Sequence, residues 1–167
     1  MHVFLDTNVF QNNWYLGAAT FKFLARYLNN EGHSLLISRL VCEETQNLRR
    51  RALDSTYQQM EKVGKEFARL TGSEPYAFPD RTGLPTYDLA SLLGADIDKV
   101  VLVEYDAIPQ SVVASRAMSL RRPFREHDKG YRDTLIWLSL LEHLSKRDDE
   151  QDVAFITLKK HLLRDCF

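Results

Sequence analysis

The sequence is short of cysteine and has no long apolar run, and each shortage excludes a class of protein. Among its 167 residues, Cys42 and Cys166 are the two cysteines, and they lie in no metal-binding or redox spacing. A disulfide scaffold is therefore excluded, and the pair is typical of reduced thiols in the cytosol. The apolar stretch TLIWLSLLEHL is broken by Glu142 and is shorter than the roughly 18 residues that span a bilayer. We expect a soluble, cytoplasmic protein that has no membrane partner.

Neither sign of charge dominates the chain. Lys and Arg number 22, Asp and Glu number 23, and the formal net charge is -1. This balance does not mark a nucleic-acid-binding protein, although phosphates are met by local basic patches rather than by total charge. Glycine and proline are also scarce, and residues 71–85 hold three of the 5 prolines. That segment predicts a surface loop rather than a domain boundary, so we expect a single domain over residues 1–167.

Short apolar runs alternate with segments of helical periodicity along the chain. Strands are predicted at residues 2–5, 34–38 and 153–157, and residues 99–105 are ambiguous between a strand and a minor element. Helices are predicted at residues 13–29, 41–70 (as one helix or two), 86–96, 108–120 and 131–147. This alternation predicts an α/β fold in which helices flank a central parallel sheet.

Acidic residues lie close to the ends of several predicted elements. Asp6 directly follows the first strand, Glu43 and Glu44 follow the second, and Asp133 lies in the first turn of helix 131–147. Ligands of an open parallel sheet gather beyond the carboxyl ends of its strands. Crowded carboxylates repel each other unless a cation lies among them, and Mg²⁺ or Mn²⁺ accepts such oxygen ligands. Each acid alone is also explained as a helix cap or a helix N-terminal charge, but together their positions favour a metal site.

Four stretches of the chain resemble the PIN-domain nucleases. The opening FLDTNVF is similar to a first strand that ends in aspartate followed by Thr or Ser and then Asn. The stretch ISRLVCEETQNLRRR resembles the second acidic motif, and VAFIT resembles the strand before the final motif. The most specific match is RRPFREHDKGYRDTLIWLSLLE, which resembles a bacterial branch with a Pro-Phe pair before a Lys-Gly-Tyr-Arg-Asp segment. Residues 50–105 carry no part of this resemblance.

The resemblance implies a PIN-like (Rossmann-like) three-layer fold and a site for Mg²⁺ or Mn²⁺. It implies that the catalytic, metal-binding acids are Asp6, Glu44 and Asp133, with Glu43 and Asp165 as weaker candidate ligands. The residues that it implies around these acids, as supports or substrate contacts, are Thr7, Asn8, Lys129, Tyr131 and Arg132.

The end of the chain departs from the family pattern. The family has an Asn- and Asp-bearing turn after the last strand, whereas this chain reads FITLKKHLLRDCF. Leu158 and Lys159 therefore stand where short polar residues are expected. Three explanations stay open: the fourth acid is absent, Asp165 replaces it from a shifted position, or the natural chain continues beyond Phe167.

Two basic clusters are candidates for contact with an RNA backbone. Arg49, Arg50 and Arg51 form the first, which is also explained as a solvated helix face. The second flanks the predicted site and consists of Arg116, Arg121, Arg122, Arg125, Lys129 and Arg132. Within it, Arg121, Arg122 and Arg125 are our candidates for nucleic-acid binding. Contacts of this kind make affinity fall steeply with salt.

The function implied by the resemblance is a Mg²⁺- or Mn²⁺-dependent endoribonuclease that leaves 5′-phosphate and 3′-hydroxyl ends. Such proteins act as toxins held by an antitoxin, in RNA processing or in defence, and by analogy we expect a homodimer. The alternative is a catalytically inactive PIN-like module that binds nucleic acid or a protein partner. Phosphatases with an aspartyl nucleophile are disfavoured, because they carry a second aspartate two residues after the first, where this chain has Asn8.

Overall fold

The structure, a computed structural model, describes residues 1–74, 83–124, 130–147 and 151–158. Its four strands are β1 (His2–Leu5), β2 (Ser34–Ser38), β3 (Val100–Val103) and β4 (Val153–Ile156). Its α-helices are α1 (Ala19–Asn30), α2 (Arg39–Thr71), α3 (Leu89–Asp96), α4 (Gln110–Met118) and α5 (Tyr131–Ser145). A 3-10 turn, Thr7–Val9, follows β1.

The strands form one parallel sheet in the order β3-β2-β1-β4. The two central strands are apolar and almost completely buried, as expected where helices cover both faces of a sheet. Phe4 of β1 pairs in register with Leu36 of β2 and Phe155 of β4, and the Phe4 and Phe155 rings stack with centroids 5.3 Å apart. The predicted α/β fold with a central parallel sheet is thereby confirmed.

The ambiguous segment 99–105 forms the edge strand β3, and the strand predicted at 153–157 ends one residue earlier, at Ile156. The helix predicted at 13–29 begins only at Ala19. Asn12 and Leu16 adopt left-handed φ angles of 63° and 57°, which a helix does not allow. Leu16 is nevertheless fully buried, so its apolar character reflects a core position in a loop rather than a helix face.

Helix α2 is one continuous helix of 33 residues. Ser38 caps its start by accepting a hydrogen bond from the amide of Leu40, and Gly72 ends it with a left-handed φ of 68°. Its buried residues Val41 and Thr45 lie near the start, where α2 packs on β2 and on α5. This packing fixes the start of the helix against the sheet.

Gly130 begins helix α5 and allows a close approach of two backbone segments. Its φ is 108°, and a Cβ atom added to it would lie 2.8 Å from the carbonyl carbon of Pro123. Only glycine fits such a position without displacement of the backbone. The Pro-Phe pair and the Gly-Tyr-Arg-Asp segment of the sequence are therefore packed together. In the described ranges, we find no helix with the length and apolar character needed to cross a membrane.

Candidate active site

The sheet topology brings the carboxyl ends of three strands to one edge. Strand β1 lies between β2 and β4, and Leu5 pairs with Ile156 at the last position of both strands. Asp6 and Thr157 are the residues that directly follow these two strands. Helix α2 begins where β2 ends. Residues from both ends of the chain and from α2 therefore meet at this edge.

Asp6 is a buried carboxylate that is held by neutral donors. It is 3% exposed. Its Oδ1 accepts a hydrogen bond from the amide of Thr7 (2.8 Å), and its Oδ2 accepts from Asn8 Nδ2 (2.8 Å) and Thr157 Oγ1 (2.8 Å). The carboxylate thus does cap the 3-10 turn, as one interpretation of the sequence held. Its partners carry no positive charge, and no ion pair to Asp6 is found within the described residues.

Glu44 is joined to Asp6 through one threonine. Thr7 Oγ1 donates to Glu44 Oε2 at 2.7 Å, while the amide of the same threonine donates to Asp6. The other oxygen of Glu44 forms an ion pair with Arg132 of α5. Only 16% of the Glu44 side chain is exposed. Asp6 and Thr7 after β1, Glu44 of α2 and Arg132 of α5 therefore form one connected network.

Glu43 belongs to a different group of residues, although it is the neighbour of Glu44. Tyr105 donates its hydroxyl to Glu43 Oε2 at 2.8 Å, and Arg39 forms an ion pair with Glu43 at 3.4 Å. The hydrogen bond from Tyr105 to Glu43 raises the pKa of the Tyr105 hydroxyl. Arg39 also pairs with Glu104 and Asp106, and its hydrogen bond to Asp106 raises the pKa of the guanidinium. Because one residue in a helix rotates the side chain by about 100°, the two glutamates face different surroundings.

Asp133 is half-buried in the first turn of α5, directly after Arg132. Across the part of the chain that the structure describes, no three acidic, histidine or cysteine side chains are grouped as a metal site. The structure therefore connects Asp6 with Glu44 but does not assemble the three predicted ligands into one group. Carboxylates offer about four lone-pair positions each; Asp6 uses three and Glu44 uses two. The two acids are thus chemically able to take a hard cation.

Other predicted residues occupy varied places. Tyr131 is hydrogen-bonded to Gln110 of α4 (3.1 Å) rather than to the acids. Arg121 and Arg122 lie on the surface, and Arg116 donates to the carbonyl of Arg122 at 3.0 Å. The predicted residues Arg125, Lys129 and Asp165 lie outside the described ranges.

Sequence reasoning missed the contribution of the last strand. Thr157 donates to Asp6, and the amide of Leu158 donates to Asn8 Oδ1 at 2.9 Å. A polar residue directly after an apolar strand was the signal in the case of Asp6, and Thr157 carries the same signal after VAFI. The sequence pattern predicts it as part of the strand itself. A hydroxyl and a backbone amide thus stand where the family pattern has polar side chains.

A family model described as a PIN domain matches residues 3–160. Neither the curated proteins nor the solved structures contain a significant match. PIN domains are generally nucleases and typically use a divalent metal ion. The match includes Asp6, Glu44, Asp133 and Thr157, and so covers the whole network at the sheet edge. This chain belongs to the PIN-domain family.

Proposed function

We propose that the protein is an endoribonuclease that uses Mg²⁺ or Mn²⁺ to hydrolyse RNA phosphodiester bonds. The observation that carries this proposal is the buried carboxylate of Asp6, which is fixed by three neutral donors and linked through Thr7 to Glu44. Burial of a carboxylate without a counter-charge is costly. Such a group is typical of a functional site rather than of a core.

The charges around the network support a cation as the third component. Asp6 and Glu44 carry two negative charges, and Arg132 compensates one of them. Asp133 adds a further carboxylate beside Arg132 on α5. A divalent cation bound by Asp6, Glu44 and Asp133 would polarise a phosphoryl oxygen and lower the pKa of a bound water. All of these donors are hard oxygens, which Mg²⁺ and Mn²⁺ prefer.

The residues of the chain itself position the acids and meet the substrate. Asn8 and Thr157 hold Asp6 in one orientation, and Thr7 sets the separation of Asp6 and Glu44. One guanidinium nitrogen of Arg132 donates a hydrogen bond to Glu44, and 62% of the Arg132 side chain is exposed. Its remaining donors are available for a phosphate of the RNA. We propose from their sequence positions that Arg121, Arg122, Arg125 and Lys129 also contact the RNA backbone.

The cellular role remains a proposal from the family resemblance. We propose a toxin, RNA-processing or defence nuclease in the cytoplasm, with an antitoxin or other protein partner and a homodimeric state. Two observations favour the alternative of a catalytically inactive binding module. The described residues hold no three-acid group, and Thr157 stands at the strand end where the family carries acids nearby.

Cleavage of a labelled single-stranded RNA with added Mg²⁺, with Mn²⁺ and with EDTA tests the proposal. We expect cleavage only with a divalent ion, and loss of cleavage in Asp133→Asn, while the circular dichroism spectrum stays unchanged. Glu142→Gln, which removes an acid near the other end of the same helix, is the matched control. Cleavage in EDTA would refute metal dependence. RNA binding with no turnover in any divalent ion would establish the inactive module instead.

A further inference from the structure

Two tyrosines and an arginine form an aromatic cluster on segments that also carry residues of the candidate active site. The guanidinium carbon of Arg49 lies 4.7 Å from the ring centre of Tyr87 and 5.4 Å from that of Tyr15. The two rings meet edge to face, with centroids 5.9 Å apart. Arg49 also donates a hydrogen bond to the hydroxyl of Tyr15 at 2.7 Å. The cluster thus fixes the position of the Tyr15 ring from two sides.

The two tyrosines of the cluster differ in exposure. Tyr87 is buried and donates its hydroxyl to the carbonyl of Trp14 at 2.7 Å. Burial raises the pKa of Tyr87 to about 12, so this donor stays protonated at neutral pH. Tyr15, by contrast, is 60% exposed. A held aromatic ring that remains largely in water is a ready surface for stacking.

A cavity of about 410 Å³ opens beside Tyr15. Its polar wall is formed by Asp88 and Ser91, and the Ser91 hydroxyl donates to Asp88 at 2.5 Å. This hydrogen bond lowers the pKa of Asp88, which is therefore ionised at neutral pH. A carboxylate repels phosphate but accepts hydrogen bonds from the amino groups of bases. The cavity therefore suits a base better than a phosphate.

The cluster is built from the same segments as the candidate active site. Thr7, which binds Glu44, lies in the 3-10 turn that leads into the loop bearing Tyr15. Arg49 follows Glu44 on α2, about 8 Å further along the helix axis at 1.5 Å per residue. The cluster and the acids are thus connected through this loop and through α2.

We propose that this cavity binds an unpaired base of a single-stranded RNA, with the base stacked on Tyr15 and its polar edge toward Asp88 and Ser91. Arg49 is a positioning residue that holds the Tyr15 ring. The proposal rests on the proposed function, because it assigns a base-binding subsite to the same substrate. Stacking of this kind tolerates any base sequence, and its loss weakens binding by about 10-fold or more.

The test is equilibrium binding of a fluorescein-labelled single-stranded RNA, measured by anisotropy in EDTA so that cleavage does not interfere. We expect Tyr15→Ala to bind about 10-fold more weakly and Tyr15→Phe to stay within about twofold of wild type, because phenylalanine keeps the stacking surface. Phe23→Ala, which removes another exposed aromatic ring outside the cavity, is the control and should bind normally. A duplex RNA of the same sequence should bind wild type and Tyr15→Ala equally, since its bases are not free to stack.

A second variant distinguishes loss of the subsite from a folding defect caused by Tyr15→Ala. Ser91→Tyr leaves Tyr15 in place but fills the cavity, and it should weaken single-strand binding as Tyr15→Ala does. Wild-type affinity in both variants would overturn the subsite, as would an equal loss for duplex and single strand. Cleavage by wild type together with normal binding by Tyr15→Ala would refute the subsite alone. Selective loss of single-strand binding without turnover in any divalent ion would refute the nuclease alone.

Discussion

Glu43 and Glu44 are neighbours in the sequence, yet their carboxylates belong to two clusters of opposite character. The inner cluster consists of Asp6, Thr7, Asn8, Glu44, Arg132 and Thr157. The outer cluster consists of Arg39, Glu43, Glu104, Tyr105 and Asp106. In the inner cluster, neutral hydroxyl and amide donors hold a buried acid. In the outer cluster, one arginine meets three acids, and 45% of the Glu43 side chain is exposed.

The difference indicates which of the two clusters is suited to a functional site. The outer cluster is solvated, so its charges are screened and its ion pairs contribute little to stability. The Arg39 guanidinium also lies 4.6 Å from the centre of the Tyr105 ring. The inner cluster joins residues up to 151 positions apart. Its acids are withdrawn from water and fixed in place, as a preorganised electrostatic site requires.

The largest expected effect comes from Asp6, the most buried acid of the inner cluster. Asp6→Asn should lower kcat/KM for RNA cleavage by about 100-fold or more, because one preorganised charge is removed from the reacting centre. Steady-state cleavage in Mg²⁺ measures this loss, with circular dichroism as the check on folding. A folded variant that cleaves at the wild-type rate would show that the inner cluster is a structural cap only.

The two glutamates provide the most direct comparison of the clusters. Glu44→Gln should lower kcat/KM by about 10- to 100-fold, whereas Glu43→Gln should stay within about twofold of wild type because it belongs to the outer cluster. Both changes remove one charge from adjacent positions of α2, so either serves as the control for the other. Equal losses in the two variants would contradict the division into two clusters.

Thr157 tests whether the hydroxyl from the last strand supports Asp6. Thr157→Val keeps the side-chain shape and removes the donor, so cleavage should fall by about 10-fold and the free energy of unfolding by about 1 kcal/mol. Thr157→Ser, which keeps the hydroxyl, should retain most of the activity. Urea unfolding and cleavage assays are measured on the same preparations. If valine and serine behave alike, the hydrogen bond to Asp6 is dispensable.

The smallest effect is expected from the outer cluster. Asp106→Asn removes one of three acids around Arg39 but leaves Glu43 and Glu104 in place. We expect no measurable change in cleavage, and a urea midpoint that matches wild type once salt is raised to screen surface charges. A large loss of activity would assign the outer cluster to the substrate-binding surface.

The sequence predicted the fold well where local pattern and burial agree. The apolar runs of β1 and β2 and the amphipathic pattern of α5 are strong enough to identify the elements. The late start of α1 was not predictable, because Leu16 is placed in the core by a left-handed turn rather than by helix periodicity. Whether residues 41–70 form one helix or two was not predictable; α2 is continuous through Gly64, because one glycine weakens a helix without ending it.

The strand-end positions of Asp6 and of the pair Glu43 and Glu44 indicated a candidate site, and the family resemblance selected Glu44. The connections among these side chains were not predictable from the sequence. The ion pair between Glu44 and Arg132 depends on the packing of α2 against α5, which no local pattern encodes. The contact of Thr157 with Asp6 depends on the register of β1 and β4. That Glu43 and Glu44 belong to different clusters follows only from the hydrogen-bond and ion-pair partners of each side chain.

Because β1 lies between β2 and β4, the inner cluster is completed only late in synthesis on the ribosome. Domains fold during synthesis from the amino-terminal end. Asp6 and Glu44 emerge early, but the hydroxyl that completes the hydrogen bonds of Asp6 belongs to a residue made 151 positions later. A nascent chain therefore carries its acids long before it can fix them. We expect the nuclease activity that we propose to be withheld until β4 and Thr157 have been synthesised.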